Sequence, residues 1–131
     1  MAMSAILTRL LASFLIAESL FGGLRVAGLL STLGGHDVIA VVLILLRGLL
    51  GALQFIAGWL LATRRPQGFA LAQGAFLAAA ILTPFDVGLG LAPTSIYPWY
   101  RWHVTAAYGV FALAAARFLR RQEAFAEQQP R

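Results

Sequence analysis

Apolar residues fill this chain in four long blocks, and the polar interruptions between them are short. The blocks cover residues 5–33, 37–63, 67–83 and 99–121. None alternates with a period of two, so none reads as a half-buried strand. Nor do the few polar residues inside a block make up the polar face that a helix on a soluble protein needs. A helix that is apolar all round is buried or lipid-exposed. A membrane span takes roughly 17–25 residues, and all four blocks meet that length. The pattern predicts an all-α membrane protein, a four-helix transmembrane bundle.

The interruptions carry ordinary stop and turn chemistry. Gly34-Gly35-His36-Asp37 reads as a tight turn, with Asp37 set to cap the second helix. Arg64-Arg65-Pro66 stops that helix, because proline cannot continue the hydrogen-bond ladder and two guanidiniums do not stay in lipid. Thr83-Pro84-Phe85-Asp86 is expected to end or kink the third helix. The long apolar loop at 87–98 (VGLGLAPTSIYP) is expected to fold back against the membrane face, and 122–131 reads as a polar, frayed cytoplasmic tail. The first block is longer than the apolar core of a signal peptide and is interrupted by Glu18, so it reads as a retained span.

Composition narrows this further. Of the 131 residues, 60% are hydrophobic and only 11% charged, which leaves too little charge to cover a soluble domain. The net charge is +5 and every basic residue is arginine. With no exposed basic domain to carry it, that excess does not point to nucleic acid; it marks topology. Arg9, Arg64, Arg65, Arg117, Arg120 and Arg121 fall at block ends that share one side in a four-span protein. By the positive-inside rule that side, with both termini, is cytoplasmic, as expected for a multi-pass protein of a bacterial-type inner membrane. Tyr97, Trp99, Tyr100 and Trp102 read as an aromatic belt at the opposite interface. There is no cysteine, which excludes disulfides and thiolate chemistry.

The polar residues inside the blocks fall into two layers when depth is counted from the cytoplasmic arginines. At about 1.5 Å per residue, Glu18 lies about 13 Å above Arg9, Gln54 about 15 Å above Arg64, Gln73 about 12 Å above Arg65 and Tyr108 about 13 Å above Arg117. Each helix thus offers one polar side chain near the midplane, with Glu18 as the layer's carboxylate. Arg25, Arg47 and Arg101 form a second layer at about 24–26 Å, with His103 slightly lower at about 21 Å. Three guanidiniums at one depth repel unless something negative lies among them. Asp86, an anionic ligand, a lipid headgroup or a second subunit would serve. Arg25 and Arg101 also fit simple snorkelling to the headgroups, whereas Arg47 stands inside VVLILLRGLLGALQ. Glu18 fits structural pairing with Arg47 or Arg25 as well as a functional role.

Three chemistries suit these layers. One is proton coupling, in which a carboxylate at membrane depth exchanges a proton for a substrate. LIAESLFGGLR, residues 15–25, is similar to the first helix of the small multidrug resistance transporters, and that resemblance implies that Glu18 carries the coupling. A second is ligand binding in the outer arginine layer. Arg9 opening the first helix, Gly22-Gly23 before Arg25, and GLLGALQFIAGWLLATRR before a proline-started third helix resemble the DoxX-like four-helix membrane proteins. The chain departs from that pattern at Arg47, where the family has an acidic residue. This resemblance implies an accessory subunit associated with redox or quinone complexes. Metal or haem binding is the third and is not expected, since His36 and His103 lie at different depths and no cluster completes a site. No catalytic triad or phosphate-cradling glycine loop is present.

The reading from sequence is a small membrane accessory or ligand-binding protein. Arg25, Arg47, Arg101, His103, Trp99 and Trp102 would line an outer-leaflet pocket for an anionic, lipid or quinone-like ligand. A larger membrane complex or a homo-oligomer would be its setting. The alternative is a small proton-coupled transporter built on Glu18.

Overall fold

The computed structural model describes residues 2–31, 33–35, 38–88 and 101–128. Among these the protein is all-helical: α1 (Ala2–Leu30), α2 (Val38–Ala62), α3 (Pro66–Gly88) and α4 (Arg101–Gln128), with a short 3-10 turn at Leu33–Gly35 between the first two. Met3–Leu30, Val38–Ala62 and Pro66–Phe85 are long and apolar enough to cross a membrane, with mean hydropathies of 1.6, 2.3 and 1.6. α4 is as long but carries Arg101, Arg117, Arg120 and Arg121, which leave a shorter apolar run between them. Large apolar side chains point outward along the bundle, among them Phe21, Leu24, Val38 and Val110, each at least 70% exposed. So much outward apolar surface matches lipid, not water, as the surrounding medium.

Each helix packs along its neighbour in sequence, while α1 and α4 approach closely at few points. Small residues set the close approaches. A Cβ at Gly58 of α2 would lie 2.8 Å from Ile16 Cγ1 and 2.9 Å from the Ala12 carbonyl oxygen, so α1 and α2 meet there almost backbone to backbone. Such proximity drives helix association in lipid, where van der Waals packing replaces the hydrophobic effect. The common core joins Ala12 and Leu15 of α1, Ala57 and Leu61 of α2, Ala72, Ala75 and Phe76 of α3, and Ala112, Ala115, Ala116 and Leu119 of α4. Phe76 is fully buried. Its ring stands 6.1 Å from that of Phe14 and 5.9 Å from that of Phe111, and Phe14 and Phe111 meet edge-on at 5.0 Å. This aromatic triangle ties α1, α3 and α4 together.

On α3 the small-residue row Ala70–Gly74–Ala78, which the spacing suggests as a packing face, is not the buried one. Ala70 and Gly74 are exposed, and the core side carries Ala72, Ala75, Phe76 and Ala79. The buried face is the one that carries Phe76, the bulkiest side chain in the core.

Two helix ends differ from expectation. α3 runs through Pro84 to Gly88 instead of stopping at 83. Pro84 lies four residues before the end of the helix and forfeits one i→i−4 bond there, and the Thr83 hydroxyl beside it donates to the Ala79 carbonyl at 2.6 Å. α4 continues to Gln128, so most of the expected frayed tail is helix. The α2–α3 turn follows expectation: α2 ends at Ala62, and Pro66 takes the first position of α3, where a missing N–H is harmless.

Candidate functional site

The polar centre of the bundle forms where α1 faces α4. The Tyr108 hydroxyl donates to Glu18 Oε1 at 2.6 Å, across the seam where these two helices otherwise touch little. Both residues are partly buried. Glu18 Oε2 is buried and makes no hydrogen bond to the described residues.

Gln54 sits behind this pair. Gly58 faces Ala12, Leu15 and Ile16, while Gly51 faces the Ser19 carbonyl, so Gln54, midway between the two glycines, lies level with Glu18. It is 3% exposed, and its Nε2 has no hydrogen-bond partner among the described residues. Gln73 turns elsewhere. Its amide Nε2 donates to Glu123 Oε2 of α4 at 2.7 Å, tying α3 to the helical extension beyond Arg121.

The outer arginines are placed by the α1–α2 contact. A Cβ at Gly48 would lie 3.6 Å from Val26 Cγ1, which puts Arg25 and Arg47, one residue earlier on each of two antiparallel helices, within about 3 Å of one another in height. Both are partly buried. Arg47 opens onto a groove of about 370 Å³ between α1 and α2. Gly23, Gly48 and Gly51 leave the space open, and Leu20, Val26 and Phe55 give it apolar walls. Among the described residues no other charged side chain lines it. Trp102 and His103 are exposed at the start of α4. Trp99 and the side chain of Arg101 lie outside the described residues, as do His36, Asp37, the side chain of Asp86 and the loop at 89–98. Among the described residues no cluster of three His, Cys, Asp or Glu is arranged to hold a metal ion.

No family model, curated protein or solved structure matches the chain. The chemistry of the site is therefore carried by its own residues. A groove with apolar walls and one guanidinium at its polar end suits an amphiphile: a flat or chain-like apolar body with an oxygen-bearing head. The Glu18–Tyr108 pair suits a different task, holding or releasing a proton at the α1–α4 seam.

Several contributors were not evident from sequence. Glu123 falls in what reads as a polar tail, so its bond to Gln73 had no visible signal. The groove glycines did have one, since Arg47-Gly48-x-x-Gly51 puts a charge beside two missing side chains one helical turn apart.

Proposed function

We propose that this is a small integral membrane protein that binds an anionic, lipid or quinone-like amphiphile in the α1–α2 groove, with Arg47 gripping its polar head. The observation that carries the reading is the pairing of a roughly 370 Å³ apolar groove with a single partly buried guanidinium. A charge at that depth is retained where it has work to do. In this reading all four helices span a bacterial-type inner membrane. The arginine-rich end faces the cytoplasm, and Arg25, Arg101, His103, Trp99 and Trp102 rim the outer mouth. Like the DoxX-like proteins it resembles, it would serve as an accessory or carrier in a larger membrane assembly and not as a catalyst.

The test is ligand retention. Native mass spectrometry and solvent extraction of the purified protein should find a bound lipid or quinone, and Arg47→Leu should remove it while the helical spectrum stays intact. Filling the groove with Gly51→Leu should do the same without touching the charge. Wild-type protein that retains nothing, or Arg47→Leu that retains as much, would overturn the reading.

A second reading rests on the seam, where Glu18 bonds Tyr108 through one oxygen and buries the other without a hydrogen bond. Such a carboxyl suits proton-coupled transport. Glu18→Gln would then abolish pH-dependent uptake into liposomes and leave groove ligands in place, which separates it from the first.

A further inference from the structure

A second cavity lies at the opposite, arginine-rich end, and nothing in the groove reading uses it. Its volume is about 200 Å³, and all four helices reach it. Thr8 and Arg9 come from α1, Leu61 from α2, Arg64 from the turn after it, Phe69 from α3 and Gln122 from α4. Both guanidiniums are exposed, so they can meet a ligand from outside, and among the described residues no acid lines the cavity. Arg65, Arg120 and Arg121 are exposed at the same end and add to its positive field. The floor is apolar where Leu61 and Phe69 meet.

An independent observation singles out Arg64. The Arg65 N–H bonds the Leu60 carbonyl at 2.9 Å and the Arg64 N–H bonds the Leu61 carbonyl at 3.2 Å, the paired bonds of a Schellman helix end. Arg64 occupies its left-handed position, with φ at 59°, and is the one non-glycine residue with positive φ among the described residues. Glycine is the usual occupant there because a Cβ is strained. An arginine held in that conformation indicates that its side chain is wanted at this mouth, as strain is stored where function needs it.

The geometry points to a binding site for the phosphate of an anionic phospholipid headgroup, clamped by Arg9 and Arg64 with the glycerol end resting on Leu61 and Phe69. Basic pockets between membrane helices suit such headgroups. Exposed Ile6 and Leu10 on the same end of α1 offer an apolar flank for the acyl chains, which a free phosphate would leave unused.

The full chain, delipidated in neutral detergent, is titrated with phosphatidylglycerol, phosphatidylcholine or inorganic phosphate and followed by native mass spectrometry. Phosphatidylglycerol should bind in preference to phosphatidylcholine. Arg64→Gly should weaken it about fivefold, and Arg9→Gln with Arg64→Gly about 25-fold, the effect of one and two basic residues at an anionic surface. Arg64→Gly should also leave the melting temperature unchanged or higher, because glycine suits the left-handed position; a merely structural arginine would not separate these readouts. Arg64→Gln keeps the bulk and removes the charge, and should weaken phosphatidylglycerol as Arg64→Gly does. The same losses should appear in an Arg47→Leu background, where the groove no longer grips an anionic head, so that phosphatidylglycerol held at Arg47 does not enter the comparison. Equal retention of the two lipids, or unchanged phosphatidylglycerol binding in both Arg64 variants, would overturn the site. Inorganic phosphate displacing phosphatidylglycerol at equal concentration would overturn the lipid assignment.

Discussion

Replacing Tyr108 by phenylalanine removes one oxygen and tests what holds α1 to α4. Those helices touch little, and the 2.6 Å bond from Tyr108 to Glu18 is a polar link across their seam. The perturbation has two parts. The bond itself is lost, and Glu18 Oε1 joins Oε2 as a buried oxygen with no hydrogen bond to the described residues. In soluble proteins a hydrogen bond to a charged group contributes about 1.5–3 kcal/mol. Between membrane helices double-mutant cycles average about 0.6 and reach about 1.7 kcal/mol, because the separated helices also find partners. A short bond between two partly buried groups belongs near the upper membrane figure, so Tyr108→Phe should destabilise by about 1.5 kcal/mol. The ring stays, and with it the Tyr108–Phe111 contact at 6.4 Å, so packing loss should add little. Thermal unfolding in detergent should show a fall of about 5 °C, from an unfolding entropy of about 2.1 cal/mol/K per residue over the 131-residue chain. The cleaner measurement is the cycle of Tyr108→Phe with Glu18→Gln, in which a coupling of about 1 kcal/mol is expected. Single-mutant effects that add to within about 0.3 kcal/mol would show that the two groups do not stabilise each other and would refute the seam argument.

The close approach at Gly58 and the burial of Phe76 make two packing predictions. Gly58→Ala should destabilise by about 1–3 kcal/mol as overpacking, since its Cβ would lie 2.9 Å from a backbone oxygen, whereas Gly74→Ala, with nothing within 4 Å, should be neutral or gain up to about 1 kcal/mol of helix propensity; equal effects in a denaturant titration would contradict the assigned contact faces. Phe76→Ala should cost about 3–5 kcal/mol and leave the Phe14–Phe111 pair without its third ring, so an intact melting temperature would place the core elsewhere.

Much of the architecture is legible in the hydropathy pattern, because lipid imposes a simple rule: long apolar runs, short charged breaks. Arg64-Arg65-Pro66 marks a helix end by chemistry that no tertiary contact overrides. Pro84 misleads because an interior proline removes one i→i−4 bond without necessarily ending the helix, and α3 continues four residues beyond it. The helix through 122–128 is missed for a related reason. A fall in hydropathy signals departure from lipid, not loss of helix, and Glu123 shows the difference by bonding Gln73 from beyond the last arginine pair.

The interior polar groups mark the limit of a depth count. Counting residues from an arginine fixes height along a helix but not rotation about it, and rotation decides which groups meet. Glu18 and Tyr108 face one another; Gln54, level with Glu18, points its Nε2 to no hydrogen-bond partner among the described residues; Gln73 turns to α4's far end. Rotation is set by the glycines, since Gly58, Gly51 and Gly48 press α2 against α1 along one line. Arg47 precedes the last of these by one residue, about 100° around the helix, which brings it beside the contact line and not onto it. That offset lets a guanidinium reach the groove from a helix otherwise committed to close packing. A side chain at Gly48 would start in contact with Val26, 3.6 Å from its Cγ1, on the α1–α2 line itself, so the one-residue offset of Arg47 from the glycine line shapes the site.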